Sequence, residues 1–319
     1  MLTLTSCARD SAPAPLFQLL TAEETGVDFV NELPEQADFN ILNYLYYYNG
    51  AGVAAGDIDN DGLPDLYFTS NLGPNRLYRN LGGYEFEDVT ERAGVAGAGG
   101  WTTGVTMADV NGDGRLDIYV SGVSYLTMEG HNVLYINNGD GTFTDRTAEY
   151  GLDHVGYATQ AAFFDYDNDG DLDVYLLNHS VHTERGVSSR PQRQRHPRAG
   201  DRLLRNDGGR FVDVSDEAGI YGGVEGYGLG VVASDVNADG CIDLFVANDF
   251  QENDFLYINN CDGTFTESIA GALGHTSRFS MGADAADYNN DGRPDIVVVD
   301  MLPEQEDILK TSANAETFN

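Results

Sequence analysis

One nine-residue arrangement occurs five times in the chain, with side-chain oxygens at every second position around a glycine. It reads Asp57, Asp59, Asp61, Gly62, Leu63, Asp65; Asp109, Asn111, Asp113, Gly114, Arg115, Asp117; and Asp165, Asp167, Asp169, Gly170, Asp171, Asp173. The last two copies are Asp235, Asn237, Asp239, Gly240, Cys241, Asp243 and Asp287, Asn289, Asp291, Gly292, Arg293, Asp295. Carboxylates at alternate positions suit a hard cation that takes six to eight oxygen ligands, and the glycine permits the sharp turn around it; this is calcium chemistry. Positions one, three, five and nine are expected to bind through their side chains. Position seven (Leu63, Arg115, Asp171, Cys241, Arg293) varies, as expected where only the backbone carbonyl is used. A single match is no more than an acidic turn, but five in one register point to about five bound calcium ions.

The elements that must position these loops follow from the spacing. The first residues of successive loops lie 52, 56, 70 and 52 residues apart, the length of a four-stranded propeller blade. A small-residue strand A enters each loop, as in Gly52 to Gly56, Gly104 to Ala108 and Gly230 to Ser234, and suits an innermost position. Strand B leaves the loop as Asp65-Leu-Tyr-Phe68, Asp117-Ile-Tyr-Val120, Asp173-Val-Tyr-Leu176, Asp243-Leu-Phe-Val246 and Asp295-Ile-Val-Val298, rich in β-formers. Strand C ends on Asn80, Asn137, Asn206 or Asn259, and strand D starts at Phe86, Phe143, Phe211 or Phe265 after a tight turn. The expected fold is an all-β propeller with calcium loops between strands A and B. It has four complete blades and part of a fifth, in an incomplete ring.

Composition agrees and excludes. Thirty-eight glycines, 33 Tyr plus Phe and a single Lys suit short strands and turns. A net charge of −35 disfavours nucleic acid and anionic membranes as partners. The loop carboxylates carry part of that charge, which bound ions would neutralise.

The Asp-x-Asp-x-Asp-Gly-x-x-Asp loops with Gly-Thr-Phe turns resemble the FG-GAP repeats of integrin α-subunit propellers and bacterial VCBS repeats. Asn49 to Ala54, Asn248 to Phe250 and Asp300 to Glu304 resemble Bacteroidetes-type surface proteins that carry an ASPIC/UnbV region farther on; no such region is visible here. The resemblance covers residues 16–319 and implies further blades, so that the domain is expected to be cut short at its C-terminus. It also implies a protein or glycan ligand on the face opposite the calcium loops, and an extracytoplasmic, secreted or cell-surface location.

That opposite face carries the longest insertion, His179 to Gly200, with Arg185, Arg190, Arg193, Arg195 and Arg198. Such a loop either grips an acidic glycan or protein, or softens the protein's own field. His179 and His182 are a weak transition-metal pair. Asn71, Asn248, Asp249, Asn253, Asp254 and Asp300 serve turn chemistry or a polar rim, and Trp101 with Tyr44, Tyr46, Tyr47 and Tyr48 pack between sheets or stack on sugars. No phosphate loop, Gly-x-Ser-x-Gly elbow or His-Glu-x-x-His pair occurs, so a binding module is expected; a polysaccharide-active glycosidase or lyase is the alternative. Cys241 and Cys261 fall at one end of adjacent strands and are expected to pair. Cys7 then stands alone, in a lipobox-like Leu4-Thr5-Ser6-Cys7 that makes residues 1–15 either a lipoprotein signal remnant or a tail. Phe17 to Val27 repeats the strand D pattern as a lone outer strand, which either stays unpaired or closes a five-bladed ring with residues 307–311.

Overall fold

The computed structural model describes residues 16–97, 99–181, 194–250 and 252–301. A single helical turn, α1 (Ala22–Thr25), opens the described chain, and four antiparallel four-stranded sheets follow in chain order. The first blade is β1 (Val53–Gly56), β2 (Asp65–Phe68), β3 (Arg76–Gly82) and β4 (Glu85–Asp88), ending in α2 (Thr90–Ala93). The second is β5 (Trp101–Ala108), β6 (Asp117–Val123), β7 (Val133–Asn137) and β8 (Phe143–Asp145), ending in α3 (Thr147–Tyr150). The third is β9 (Ala158–Phe164), β10 (Asp173–Asn178), β11 (Arg202–Asn206) and β12 (Phe211–Asp213). The fourth is β13 (Gly228–Ser234), β14 (Asp243–Asn248), β15 (Phe255–Asn259) and β16 (Phe265–Glu267), ending in α4 (Ile269–Ala272). A fifth sheet has two described strands, β17 (Ser280–Ala286) and β18 (Asp295–Asp300).

The sheets stack in sequence with their first strands adjacent, β1 against β5, β5 against β9, β9 against β13 and β13 against β17. The small residues there are required by space. A Cβ at Gly104 would sit 2.4 Å from the Thr159 carbonyl oxygen, and one at Gly52 or Gly230 would meet the neighbouring backbone at 2.8 or 2.9 Å. The sequence explains the layering as well. Leu77, Leu134, Leu203 and Leu256, at one register of the third strands, are buried in successive clusters between blades. Each such burial stabilises the fold by about 1.5–3 kcal/mol. The strands β6, β10 and β14 are buried along their whole length, whereas β18, in the last described sheet, leaves Val297 and Val299 more than half exposed.

Two features differ from the sequence reading. The segments after the first, second and fourth blades form one-turn helices that the all-β reading did not place; α2 and α3 close on a left-handed glycine (Gly94, Gly151), as α1 does on Gly26, with φ of 75–77°, whereas α4 ends on right-handed Leu273. The Phe17 to Val27 segment keeps that helical turn, with Thr21 and Glu24 forming a capping box, but residues 16–21 form no strand. Phe17 is 86% exposed, against 8% for Phe143, because no third strand lies beside it among the described residues. The helical turn is nevertheless placed as in a blade: a Cβ on Gly26 would strike the Phe86 carbonyl oxygen, as Gly151 and Gly219 approach those of Phe211 and Phe265. Cys7, His182, Arg185, Arg190, Arg193 and residues 307–311 lie outside the described residues.

Candidate functional site

All five acidic loops join the first strand of a blade to the second, as the sequence indicates, and fold alike. The position-one aspartate accepts the N–H groups of positions five and six; in the first loop Asp61 N and Gly62 N lie 3.0 and 2.8 Å from the Asp57 carboxylate. The same pair of bonds recurs at Asp109, Asp165, Asp235 and Asp287. Each position-five carboxylate accepts the N–H of position seven, which folds Leu63, Arg115, Asp171, Cys241 and Arg293 back toward the loop. Two left-handed residues make the turn, the expected glycine and, missed in the sequence, position four: Asn60, Gly112, Asn168, Ala238 and Asn290, with φ of 58–70°.

Position nine is the anchor. Asp65, Asp117, Asp173 and Asp243 are fully buried, accepting the N–H of position two on one oxygen and the N–H of Asn80, Asn137, Asn206 or Asn259 on the other, at 2.7–3.0 Å. Asp295 holds Tyr288 N in the same way at 3.1 Å. Burial pushes the Asp117 carboxyl up to about 6 and Asp173 to about 7, against those two backbone bonds. The third-strand asparagines were legible as a repeat but not as parts of the site. Their amides also donate to the position-eight carbonyl, and those of Asn137 and Asn259 reach the preceding blade's loop at Ile58 O and Tyr166 O, both at 2.8 Å.

The carboxylates of Asp57, Asp59 and Asp61 lie within 4.8 Å of one another, as do those of Asp165, Asp167 and Asp173. Asp167 Oδ1 and Asp171 Oδ1 are buried with no hydrogen-bond partner. A cluster of hard oxygens in which Asp167 Oδ1 is unpartnered fits a calcium ion in the third loop. In the loops with Asn111, Asn237 and Asn289, no cluster of three carboxylates that close occurs among the described residues. Beside the fourth loop, Cys241 and Cys261 form a disulfide with a Cα separation of 5.8 Å, as the strand positions indicate.

The other end of the blades combines a repeated turn bracket with a single-copy aromatic cluster. Residues 39–50 fold over the converging first strands, and Phe39, Tyr44 and Tyr47 pack on Trp101 with ring centroids 5.3–5.5 Å apart. These aromatics, with Tyr46, are buried, so packing is their role; Tyr48 remains exposed. Beside them lies a cavity of about 270 Å³, lined by Asn49, Gln160, Thr103, Tyr46 and His179 and by the backbone of the first strands. His179 is not a metal ligand in this setting. Its Nδ1–H donates to the Tyr157 carbonyl (2.8 Å) and its Nε2 accepts from the Tyr44 hydroxyl (2.7 Å), while complete burial lowers its pKa to about 4. The Tyr46 hydroxyl donates to Asp249 at 3.2 Å.

Most of the polar rim residues belong to turns. Asn71 donates to the carbonyls of Gly50 and Thr102, and Asp300 accepts from Phe279 N and the Ser277 hydroxyl. Asn248 N is held by Asp254, the fourth case of a bracket formed by Asn75 on Ser70 N, Asn132 on Gly122 N and Asp201 on Asn178 N. Asn253 stays exposed. Arg195 offers no free charge to a ligand: it pairs with Asp216 at 3.0 Å and donates to the carbonyls of Asp201 and Ile220, while Arg198 is exposed.

A model of the FG-GAP-like repeat matches residues 57–120, 123–176 and 235–298. Cartilage acidic protein 1 of Xenopus tropicalis is 30% identical over 206 residues, 63% of this chain and 29% of that protein. The human protein of that name is 27% identical over 298 residues, 83% of this chain and 40% of its own length. The chain thus spans less than half the length of the curated relatives it matches. Among solved structures, an Agrocybe aegerita lectin described as recognising non-reducing terminal N-acetylglucosamine aligns with a TM-score of 0.43 and 22% identity, over 77% of this chain and 59% of the lectin. The V. cholerae biofilm matrix protein Bap1 aligns at 0.39 and 17%, over 78% of this chain and 34% of its own. With the repeat model matching more than half of its residues, each match beginning at or containing an acidic loop, the chain belongs to the FG-GAP-like repeat family.

Proposed function

We propose that this chain is a calcium-stabilised, extracytoplasmic recognition module that binds a glycan or protein on the face opposite its acidic loops. The observation that carries the reading is the division of labour between the two ends of the blades. At one end, repeated carboxylates converge where a dication would relieve their repulsion. At the other, an uncharged cavity is lined by Asn49 and Gln160, and the segment that supplies Asn49 also exposes Leu42, Leu45 and Tyr48.

The location is supported by the Cys241–Cys261 disulfide, which persists in oxidising compartments, and by similarity to proteins named for cartilage. Among the described residues no helix is long and apolar enough to cross a membrane. Probing glycan and protein arrays in calcium buffer tests the reading. The expected result is a ligand retained unchanged, with affinity lowered about tenfold by Asn49→Ala with Gln160→Ala, the loss of about two hydrogen bonds. Release of reducing or unsaturated ends from a polysaccharide panel would instead make the chain an enzyme.

A further inference from the structure

The acidic loops fall into two kinds, and the kind is matched by one residue on the third strand of the same blade. Where position three is aspartate, Asp59 or Asp167, the fourth residue of the third strand is arginine, Arg79 or Arg205. Where position three is asparagine, Asn111 or Asn237, that residue is isoleucine, Ile136 or Ile258. An added negative charge on the loop therefore comes with an added positive charge on the strand beside it.

The two arginines do not use their charge alike. The Arg79 guanidinium spans the first loop, with Nε 2.6 Å from Asp59 Oδ2 and a terminal nitrogen 3.1 Å from Asp61 Oδ2. The other oxygens of those two carboxylates already accept loop N–H groups, so the guanidinium takes the pair that remains. In the third blade Arg205 turns away to Asp207, with bonds of 2.7 and 3.2 Å, and Asp167 Oδ1 is left buried without a partner. The first blade has Leu81 where the third has Asp207, so nothing at that position draws Arg79 off its loop. A planar fork with fixed donors is suited to bridging two carboxylates in this way.

We propose that Arg79 is a resident counter-cation of the first loop, holding carboxylate oxygens a calcium ion would take, so that part of this loop's charge is offset without the ion and the loop binds it more weakly than the third. The inference rests on the reading that the loops bind calcium. An ion entering the first loop must displace the guanidinium or bind beside its positive charge, whereas the third loop has oxygens already open.

The test uses the full chain and compares wild type, Arg79→Ile and the double variant Asp59→Asn with Arg79→Ile, which gives the first blade the position-three and third-strand residues of the second. Calcium binding is measured by competition with a chelating dye, and thermal unfolding with and without EDTA. The expected result for Arg79→Ile is a lower transition in EDTA, a larger rise on adding calcium than in wild type, and about tenfold tighter binding at one site. The double variant should recover the wild-type transition in EDTA. Equal loss of stability in EDTA and in calcium, with unchanged binding, would make Arg79 an ordinary surface ion pair and overturn the proposal. If Arg79→Ile does not fold, Arg79→Lys, which keeps the charge but loses the fork, should show tighter calcium binding than wild type, and unchanged binding would again overturn the proposal. Wild type that neither binds calcium nor responds to EDTA sinks the loop reading itself, a result distinct from a calcium response that is the same in both proteins.

Discussion

The two ends of the blades are built on opposite principles. At the loop end, five copies of one nine-residue pattern fold into one geometry, because every bond within the loop joins residues at most seven positions apart. At the other end, the aromatic cluster is tied by contacts such as Tyr44 to His179 and Tyr46 to Asp249, which join residues 135 and 203 positions apart and are not repeated from blade to blade. The loop end gathers like charges, for which we propose an external cation, and the opposite end is held by aromatic packing that needs none. Stability should therefore depend on cations at one end and on core volume at the other.

The strongest way to break this comparison is to remove the ion. Each occupied loop contributes about 2.7 kcal/mol at calcium a hundredfold above its Kd, so saturating several loops should raise the calorimetric transition well above its value in EDTA. An unchanged transition, with no calcium found by metal analysis, would place the stability of the loop end in its hydrogen bonds alone. Next in size is Trp101→Ala, which opens the aromatic cluster opposite and should cost about 3–5 kcal/mol. Denaturant unfolding should give the same cost in calcium and in EDTA, and a cost that changed with calcium would show the two ends to be coupled.

Reduction of Cys241–Cys261, which closes a 20-residue span at the loop end, should cost about 3 kcal/mol. Non-reducing peptide mapping that found both thiols free in secreted protein would remove the bond from the account. The smallest effect concerns the bracket at the opposite end, where blades one and two use Asn75 and Asn132 and blade three uses Asp201. Burial raises the Asp201 carboxyl to about 7. The folded state thus binds its proton more tightly than the unfolded chain does, and this contribution is full below about pH 4 and is lost as pH rises toward 7. Asp201→Asn should be close to wild type in stability at pH 4 and more stable by on the order of 1–3 kcal/mol at pH 8, read from pH-dependent melting curves. A variant with the same pH dependence as wild type would show that the Asp201 carboxyl does not carry the effect.

Much of the loop end was legible in advance because its physics is local. The alternation of carboxylates, the glycine, the small first-strand residues and the paired cysteines each act on neighbours fixed by chain spacing. Position four was missed because asparagine and alanine do not announce a left-handed backbone as glycine does. Asn80, Asn137, Asn206 and Asn259 were visible as a repeat, but their bonds to position nine exist only once the second and third strands pair.

The sequence by itself determined the repeat, the strand order within a blade and the identity of the charged loop positions, since these follow from periodicity and turn chemistry. Only the tertiary structure decided what each copy does. Phe17 and Phe143 start the same motif, yet one lies in solvent and the other in the core, because burial depends on whether a third strand stands alongside. Arg79 and Arg205 occupy one register position, yet one grips its loop and the other does not, because a single neighbouring aspartate competes for the same guanidinium. His179 reads in the sequence as a possible ligand and is a buried neutral donor and acceptor in the fold, because Tyr44 and Tyr157 arrive from distant segments to satisfy both of its nitrogens.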